Sequence, residues 1–430
     1  MSLFEDRIKD YFGNEKERFL SSLKEPSSRS FFLNTLKADA EDIFSLIDFP
    51  FQESGICERS YYYEHDNIGK TKVYELGVIY PQDVAASLTS TYFEGMEVPL
   101  IVDMCASPGG KTIDVLNRIK GDCLCIANDV SMKRCLNLSS NLERLGLDQT
   151  IITNKDTATL SSQLQGMADL VILDAPCSGE GMIRKYPEIL DTYSLSNIES
   201  LAVIQKELLD QAYEMVKKDG YLLYSTCTYA FEEDEDQIVS FLKRYPDMEI
   251  VPINMDSHSK LAGTVKLSPV YGTEGQFFAL MKRKSKGEEC KARYLKTVKE
   301  KTVEDFLSND LELNEYYLYR SDDHFYLSKK PLIDLGRNVL RYSVYIGDLV
   351  KKRFEPSHTL YRSNSFRKDF RYVYDLDDRE YDLFISGNSF PMKGEDHHYL
   401  ITYKGFSLGY GKCSQGVLKN KYPKGLRRML

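Results

Sequence analysis

One stretch constrains the fold of this chain more than any other: Ile101-Val102-Asp103-Met104-Cys105-Ala106-Ser107-Pro108-Gly109-Gly110-Lys111-Thr112. An apolar run with no room for an exposed face ends in Pro-Gly-Gly, and a helix-compatible segment, Lys111 to Lys120, follows at once. This is strand, tight turn, helix. In a doubly wound sheet such a turn lies at the carboxyl edge of the first strand. Its glycines let backbone N–H groups approach a ligand, and the next helix offers its positive end. Gly-Gly turns are common in themselves, so a nucleotide site needs support from the ends of the neighbouring strands.

A second apolar strand, Cys123 to Ala127, ends in Asn128-Asp129. Asp129 falls about 20 residues past the glycines, where such folds place the carboxylate that grips ribose hydroxyls. A third strand, Thr150 to Thr153, runs into Asn154-Lys155-Asp156, and Asp156 is suited to an adenine amino group. By themselves these features fit NAD and S-adenosylmethionine equally.

Nine cysteines at irregular spacings, with no CxxC pair, support neither a disulfide framework nor a zinc site. Cys123, Cys125 and Cys135 read as small buried hydrophobes. No signal peptide and no apolar run of membrane-spanning length is seen, so a soluble cytoplasmic protein with no membrane partner, acting as a monomer, is expected. The net charge of −9 argues against a surface uniformly coated with nucleic acid. The average hides an asymmetry, because residues 331–430 hold 18 Lys and Arg against 11 Asp and Glu. From His397 onward there are seven basic residues (Lys404, Lys412, Lys419, Lys421, Lys424, Arg427, Arg428) and no acidic one, interleaved with Tyr403, Phe406, Tyr410 and Tyr422. Basic side chains for phosphates with aromatics for stacking form a nucleic-acid pattern.

Taken in order, residues 1–25 read as one amphipathic helix, with Phe4, Ile8, Tyr11, Phe12, Phe19 and Leu23 on a helical period. Residues 29–80 read as a small mixed segment with strands at Arg29–Lys37 and Val73–Ile79. Tyr80-Pro81-Gln82-Asp83-Val84 then opens a helix. The core alternates strand and helix, the signature of a parallel sheet. Asp169–Leu173 is the fourth strand, Ser196-Asn197-Ile198-Glu199 reads as a capping box for a helix to Lys218, and Tyr221–Tyr224 is the fifth strand. Glu232 to Arg244 is a helix, and Glu249–Ile253 with Gln276–Lys282 suits an antiparallel pair that closes the sheet. Residues 283–300 are a charged linker.

The fourth strand leads into Asp174-Ala175-Pro176-Cys177 and the fifth into Ser225-Thr226-Cys227. Adjacent parallel strands put both carboxyl edges beside the nucleotide turn. Carbon-5 of cytosine is too poor a nucleophile to take a methyl group directly, and a thiolate adding to carbon-6 activates it, so this reaction needs a cysteine. A base must later remove the carbon-5 proton, which makes a second group near the first useful. Asp174 is suited to hydrogen-bond the ring nitrogen and exocyclic amine. Chemistry alone does not choose between Cys177 and Cys227 as nucleophile.

The segments Asp103 to Thr112, Asp174 to Gly181 and Tyr224 to Thr228 resemble the three signature motifs of the RsmB/RsmF (Sun/NSUN) family of RNA cytosine-5 methyltransferases. Met182-Ile183-Arg184-Lys185, Tyr403 to Lys412 and Leu418 to Arg427 resemble its RsmF-like branch with a C-terminal PUA-like domain. The resemblance implies an α/β fold: a Rossmann-like class I methyltransferase sheet with an N-terminal accessory α+β segment and a C-terminal PUA-like mixed domain. The implied divisions are 1–90 (RNA-contacting segment), 91–283 (methyltransferase domain), 284–345 (linker and connecting region) and 346–430 (PUA-like RNA-binding domain). It implies an S-adenosylmethionine site of Cys105, Ala106, Ser107, Pro108, Gly109, Gly110 and Lys111 with Asp129, Asp156 and Asp174, and no metal. It also implies that Cys227 attacks and Cys177 assists release. The expected substrate is RNA, as ribosomal RNA or a small ribosomal subunit. Transfer RNA, a non-catalytic RNA-binding assembly factor and a nicotinamide dehydrogenase are the competing readings. Ser107 stands where many members have Ala, and Tyr410 where the tail motif often has Trp.

Overall fold

A computed structural model of the chain describes residues 3–285 and 290–428. Met1 and Ser2 of the expected first helix, residues 286–289 of the expected linker and the last two residues of the tail lie outside the described residues. The central sheet runs from edge to edge as Met248–Ile250, Gln276–Arg283, Val216–Thr226, Ala168–Asp174, Leu100–Asp103, Leu124–Asn128, Thr150–Thr153 and Val339–Tyr342, with Val265–Leu267 paired to Gln276–Arg283. The five strands from Val216–Thr226 to Thr150–Thr153 are parallel, and Gln276–Arg283 is antiparallel to its neighbours. The parallel strands are buried on both faces, which is why they read as unbroken apolar runs. Helices Gly110–Arg118 and Met132–Leu145 cover one face, and Leu195–Met215 with Glu235–Arg244 the other. The antiparallel pair expected at one edge is present.

Several expectations are corrected. The first helix is two, Leu3–Phe12 and Lys16–Ser22, joined by the 3-10 turn Gly13–Glu15, where Gly13 takes a φ of +53° that a right-handed α-helix does not accommodate. Phe12 and Phe19 then stack on each other at 4.1 Å, and the pair of helices packs on Ile183, Ile198 and Tyr229 of the central domain. The expected strand Val73–Ile79 is a short helix, Lys72–Glu75, followed by a turn and the strand Ile79–Pro81. The long helix starts at Leu195 with Ser194 as its cap and ends at Met215, because Val216 to Gly220 already belong to the next strand. No capping box forms there.

Residues 284–345 are more than a linker. They carry the helix Lys301–Asp310, the hairpin Tyr317–Ser321 with His324–Ser328, and Val339–Tyr342, which extends the central sheet through Thr150–Thr153. The strand Val344–Val350 crosses the expected boundary at 345/346. The tail aromatics are core, not a stacking platform: Tyr403, Phe406 and Tyr422 are buried and Tyr410 stacks on Tyr361 at 4.4 Å. Lys404, Lys412, Lys419, Lys421 and Lys424 are exposed.

The N-terminal sheet and the C-terminal sheet share one apolar core, in which Phe31, Leu33 and Ile43 meet Tyr381, Phe384 and Ile401. Arg362 is buried where both meet the central domain. It donates to the carbonyls of Ser407, Leu408, Glu75 and Arg144, and burial pulls its pKa down to about 10. Arg362→Met leaves four carbonyls without this donor and is expected to cost on the order of 3 kcal/mol, read as a fall in the urea midpoint. An unchanged midpoint would show that the junction does not depend on the arginine.

Candidate active site

The site is built where the carboxyl ends of Leu100–Asp103, Ala168–Asp174 and Val216–Thr226 come together. Gly109 has a φ of +115°, and a Cβ there would meet Leu138 at 3.0 Å, so the turn needs glycine both for its backbone and for space. The turn is pinned by Ala106 N donating to Asn128 O at 2.8 Å and by Arg134 donating to Ser107 O at 2.7 Å. Register places Asp174 opposite Ser225, whose hydroxyl donates to it at 2.9 Å. The two cysteines three and two residues further on therefore meet: Cys177 Sγ and Cys227 Sγ are 3.3 Å apart.

Lys111, in the first turn of its helix, reaches Asp174 at 2.9 Å with its own side chain only 9% exposed. Burial alone would discharge it, but Asp174, with Cys227 and Asp103, holds its pKa above the usual lysine value. The hydrogen bond from Cys177, aided by the Lys111 charge, lowers the pKa of Cys227. Cys177 is raised well above the usual thiol value by the same hydrogen bond, with burial and the Glu233 carboxylate adding to it. The hydrogen bond between the sulfurs sets the direction: at Cys227 burial and the Asp174 carboxylate oppose it more than the Lys111 charge aids it, and at Cys177 burial and Glu233 act the same way as the bond. Of the two, Cys227 is the more acidic thiol.

The loop bearing Cys177 is held by two buried carboxylates. Glu180 accepts from Tyr193, Thr228 and the Tyr229 backbone, and Glu233 accepts from Ser178 N at 3.0 Å and Gln205 at 2.8 Å. Gln205 also donates to Pro176 O. Gly181 and Gly275 touch backbone to backbone, where a Cβ on either would stand within 2.6 Å of the other chain segment. Sequence reasoning missed Gln205, Glu233 and Glu274. Only Glu180, inside a motif, had a local signal.

A cavity of 420 Å³ runs from the cysteines past Cys105 and Asp174 to Asp129, Val130 and Asp156. Asp129 is 2% exposed. One of its oxygens accepts from Ser131 N, while the other lies 3.2 Å from the Arg134 guanidinium without a hydrogen-bond partner. Asp156 lies at the rim, and both its oxygens already accept from Thr159 as the cap of the next helix, which lowers its pKa. Burial pushes the Cys105 thiol up to about 12, so it is a neutral wall residue. Of the expected cofactor residues, Cys105, Asp129, Asp156 and Asp174 line this cavity, whereas Ala106, Pro108, Gly110 and Lys111 line a second one beside it. Ser107 faces neither, as its hydroxyl donates to Arg134 O. Among the described residues no cluster of side chains suits a metal ion.

The sheet order and the paired strand ends define a Rossmann-like methyltransferase. Three family models match in tandem: the N-terminal domain of 16S rRNA methyltransferase RsmF over residues 2–84, 16S rRNA methyltransferase RsmB/F over 91–282 and the methyltransferase RsmF PUA domain over 371–428. Together the three models run from residue 2 to 428, so the chain is similar to RsmB/F methyltransferases in each of its three parts. It is 30% identical over 288 residues to ribosomal RNA small subunit methyltransferase F of Erwinia tasmaniensis, covering 63% of this chain and 60% of that protein. It is 26% identical to the Psychromonas ingrahamii protein of the same name, covering 96% of this chain and 93% of that one. Among solved structures, a methyltransferase homolog protein from Pyrococcus horikoshii aligns with a TM-score of 0.58 at 26% identity, over 65% of this chain and 94% of that one. NSun6 from the same organism shares the fold, with a TM-score of 0.59 at 20% identity over 65% of this chain and 97% of that one.

Asp103 gives a test of the buried electrostatics. Burial, with Asp174 adding, raises its pKa to about 7, against a hydrogen bond from Thr112 at 2.5 Å. An unfolded carboxyl titrates near 3.9. Between the two values the folded state keeps a proton that the unfolded state has lost, so this group's contribution to stability falls as pH rises through that window. Asp103→Asn is expected to gain on the wild type between pH 5 and pH 8, by on the order of 2 kcal/mol, in urea midpoints at the two pH values. A constant difference would place the Asp103 pKa below 5.

Proposed function

We propose that this chain methylates carbon-5 of a cytosine in RNA with S-adenosylmethionine as cofactor. The RNA is small-subunit ribosomal RNA and the compartment the cytoplasm. The observation that carries the reading is the 3.3 Å sulfur pair at the ends of two adjacent parallel strands, in which Cys227 is the more acidic thiol. The names of the relatives, ribosomal RNA small subunit methyltransferase F, support the choice of RNA. So do the match to a PUA domain and the exposed lysines of the tail.

The residues fit the cofactor. Asp129 offers a buried carboxylate oxygen with no hydrogen-bond partner to ribose hydroxyls, Asp156 and Val130 lie on the wall that would take adenine, and Cys105 with Asp174, on the same cavity, would receive the amino-acid end. When bound, S-adenosylmethionine supplies an electrophilic methyl group. The protein does the rest. Cys227 Sγ, made the more acidic thiol by its hydrogen bond with Cys177, adds as a thiolate to carbon-6 of an unstacked cytosine, and the electron pair of the 5,6 double bond moves to carbon-5. Asp174 accepts from the exocyclic amine and stabilises the adduct.

Once Cys227 is a thioether, the hydrogen bond between the sulfurs, the largest of the influences that raise the Cys177 pKa, no longer acts, and burial and Glu233 remain. Cys177 then loses its proton to solvent, and as a thiolate it takes the carbon-5 proton of the methylated adduct. The electrons of that C–H bond re-form the double bond and expel Cys227 as thiolate, so the pair returns to its starting state with one proton released.

Two measurements test the reading. Cys177→Ala, given cofactor and RNA, is expected to accumulate a protein–RNA adduct that survives denaturation, and Cys227→Ala to form none. Adduct in Cys227→Ala alone would exchange the two roles. Asp129→Ala is expected to weaken cofactor binding by about 1.5–3 kcal/mol, the worth of hydrogen bonds to a charged group, by calorimetric titration. Equal affinities would remove Asp129 from the site.

A further inference from the structure

A second cavity, of 270 Å³, lies on the other side of the Lys111–Asp174 pair from the cysteines, and Asp174 borders both. Its charged lining is Asp83, Asp103, Lys111, Asp174, Lys185 and Glu274, with Gln82 and Gln276 beside them. The Asp83 side chain is nine-tenths buried. Its Oδ1 accepts from Ala85 N at 3.0 Å and Glu274 N at 3.2 Å, while its Oδ2 is buried without a hydrogen-bond partner. The Lys185 ammonium stands 3.8 Å from that oxygen. Lys185 is held there because its neighbour Arg184 forks onto the buried Glu274 at 2.6 and 3.2 Å. A carboxylate oxygen with an unused acceptor position and a partly solvated cation thus share one wall of this cavity, a costly arrangement for the buried oxygen unless a ligand completes it.

We propose that Asp83 and Lys185 are specificity-determining residues that read the Watson–Crick edge of the target base. The inference rests on the proposed cytosine methylation. In a six-membered pyrimidine the reacting C5–C6 bond lies across the ring from N3 and C2. When C6 faces Cys227 in the first cavity, the opposite edge points into the second. The exocyclic amine of cytosine has two N–H groups: Asp174 takes one and Asp83 Oδ2 the other. Lys185 donates to the O2 carbonyl. A uracil presents O4 to the same two carboxylates and is repelled, and a pocket built to bond an N–H rejects an analogue lacking it by large factors.

The test uses the full chain, labelled S-adenosylmethionine, small-subunit ribosomal RNA, and the same RNA with uridine at the methylated position, with products identified by mass spectrometry. Asp83→Asn keeps the acceptor for Ala85 N, so the helix cap survives, but it turns an amide N–H toward the base. Its kcat/KM on the cytosine RNA is expected to fall at least tenfold and its preference for cytosine over uridine to narrow at least tenfold, with cofactor affinity within twofold of wild type. Lys185→Gln, on a more exposed position, is expected to lower kcat/KM on cytosine several-fold with cofactor affinity again unchanged. Wild-type kcat/KM and preference in both variants would overturn the inference alone. So would a loss of cofactor affinity with unchanged preference, which would assign the chamber to the cofactor. A wild-type protein that makes no 5-methylcytosine would overturn the underlying reading, and this inference with it.

Discussion

The ion pair between Lys111 and Asp174 is the interaction on which the rest of the site depends. It joins the first turn of the helix after the glycine loop to the end of the fourth parallel strand, and so fixes the floor between the two cavities. A lysine this buried keeps its charge only because a carboxylate faces it. Removing the carboxylate would leave an uncompensated cation, a change that costs about 3–5 kcal/mol in fully buried pairs and less here, since Asp174 is 39% exposed. The hydrogen bond between the two sulfurs lowers the pKa of Cys227 and raises that of Cys177. Geometry from the fold, with Glu233 on the Cys177 side, makes two chemically identical thiols unequal.

The parts legible in the sequence were those with a local signature. Strands buried on both faces read as apolar runs, a glycine turn announces its own geometry, and two cysteines follow adjacent strands at nearly equal distances from their ends. What could not be read was decided by distant partners. Val73 to Ile79 has strand-like composition, yet Thr71 caps a helical turn there and the chain then docks on Arg144. The tail aromatics have the spacing of a stacking surface, but their rings fill the core shared with the N-terminal sheet. Val339–Tyr342 is an edge strand only because Thr150–Thr153 presents a free edge to it. Asp83 is an ordinary helix cap in sequence. Its spare oxygen gains meaning from Lys185 and Asp174, each about a hundred residues away.

The supports of the cysteine loop show the same division. Glu180 and Glu233 are buried carboxylates with raised pKa values, burial being the larger cause in each, and they are tolerated because hydroxyls, an amide and backbone N–H groups converge on them. Tyr11, from the N-terminal helices, is among the side chains that reach Glu180. The accessory segment therefore buttresses the loop that carries Cys177, besides whatever contacts it offers outward.

The junction of the two chain ends has a consequence for how the molecule is made. Glu75 and Arg428, which pair across it, are 353 residues apart in the chain. At ribosomal elongation rates that separation takes about 20 to 70 s to synthesise. Throughout that interval Phe31, Leu33 and Ile43 belong to a core whose other half does not yet exist. The nascent N-terminal sheet waits with an apolar face open to solvent, so the same shared core that locks the finished enzyme together makes its birth a period of exposure to aggregation.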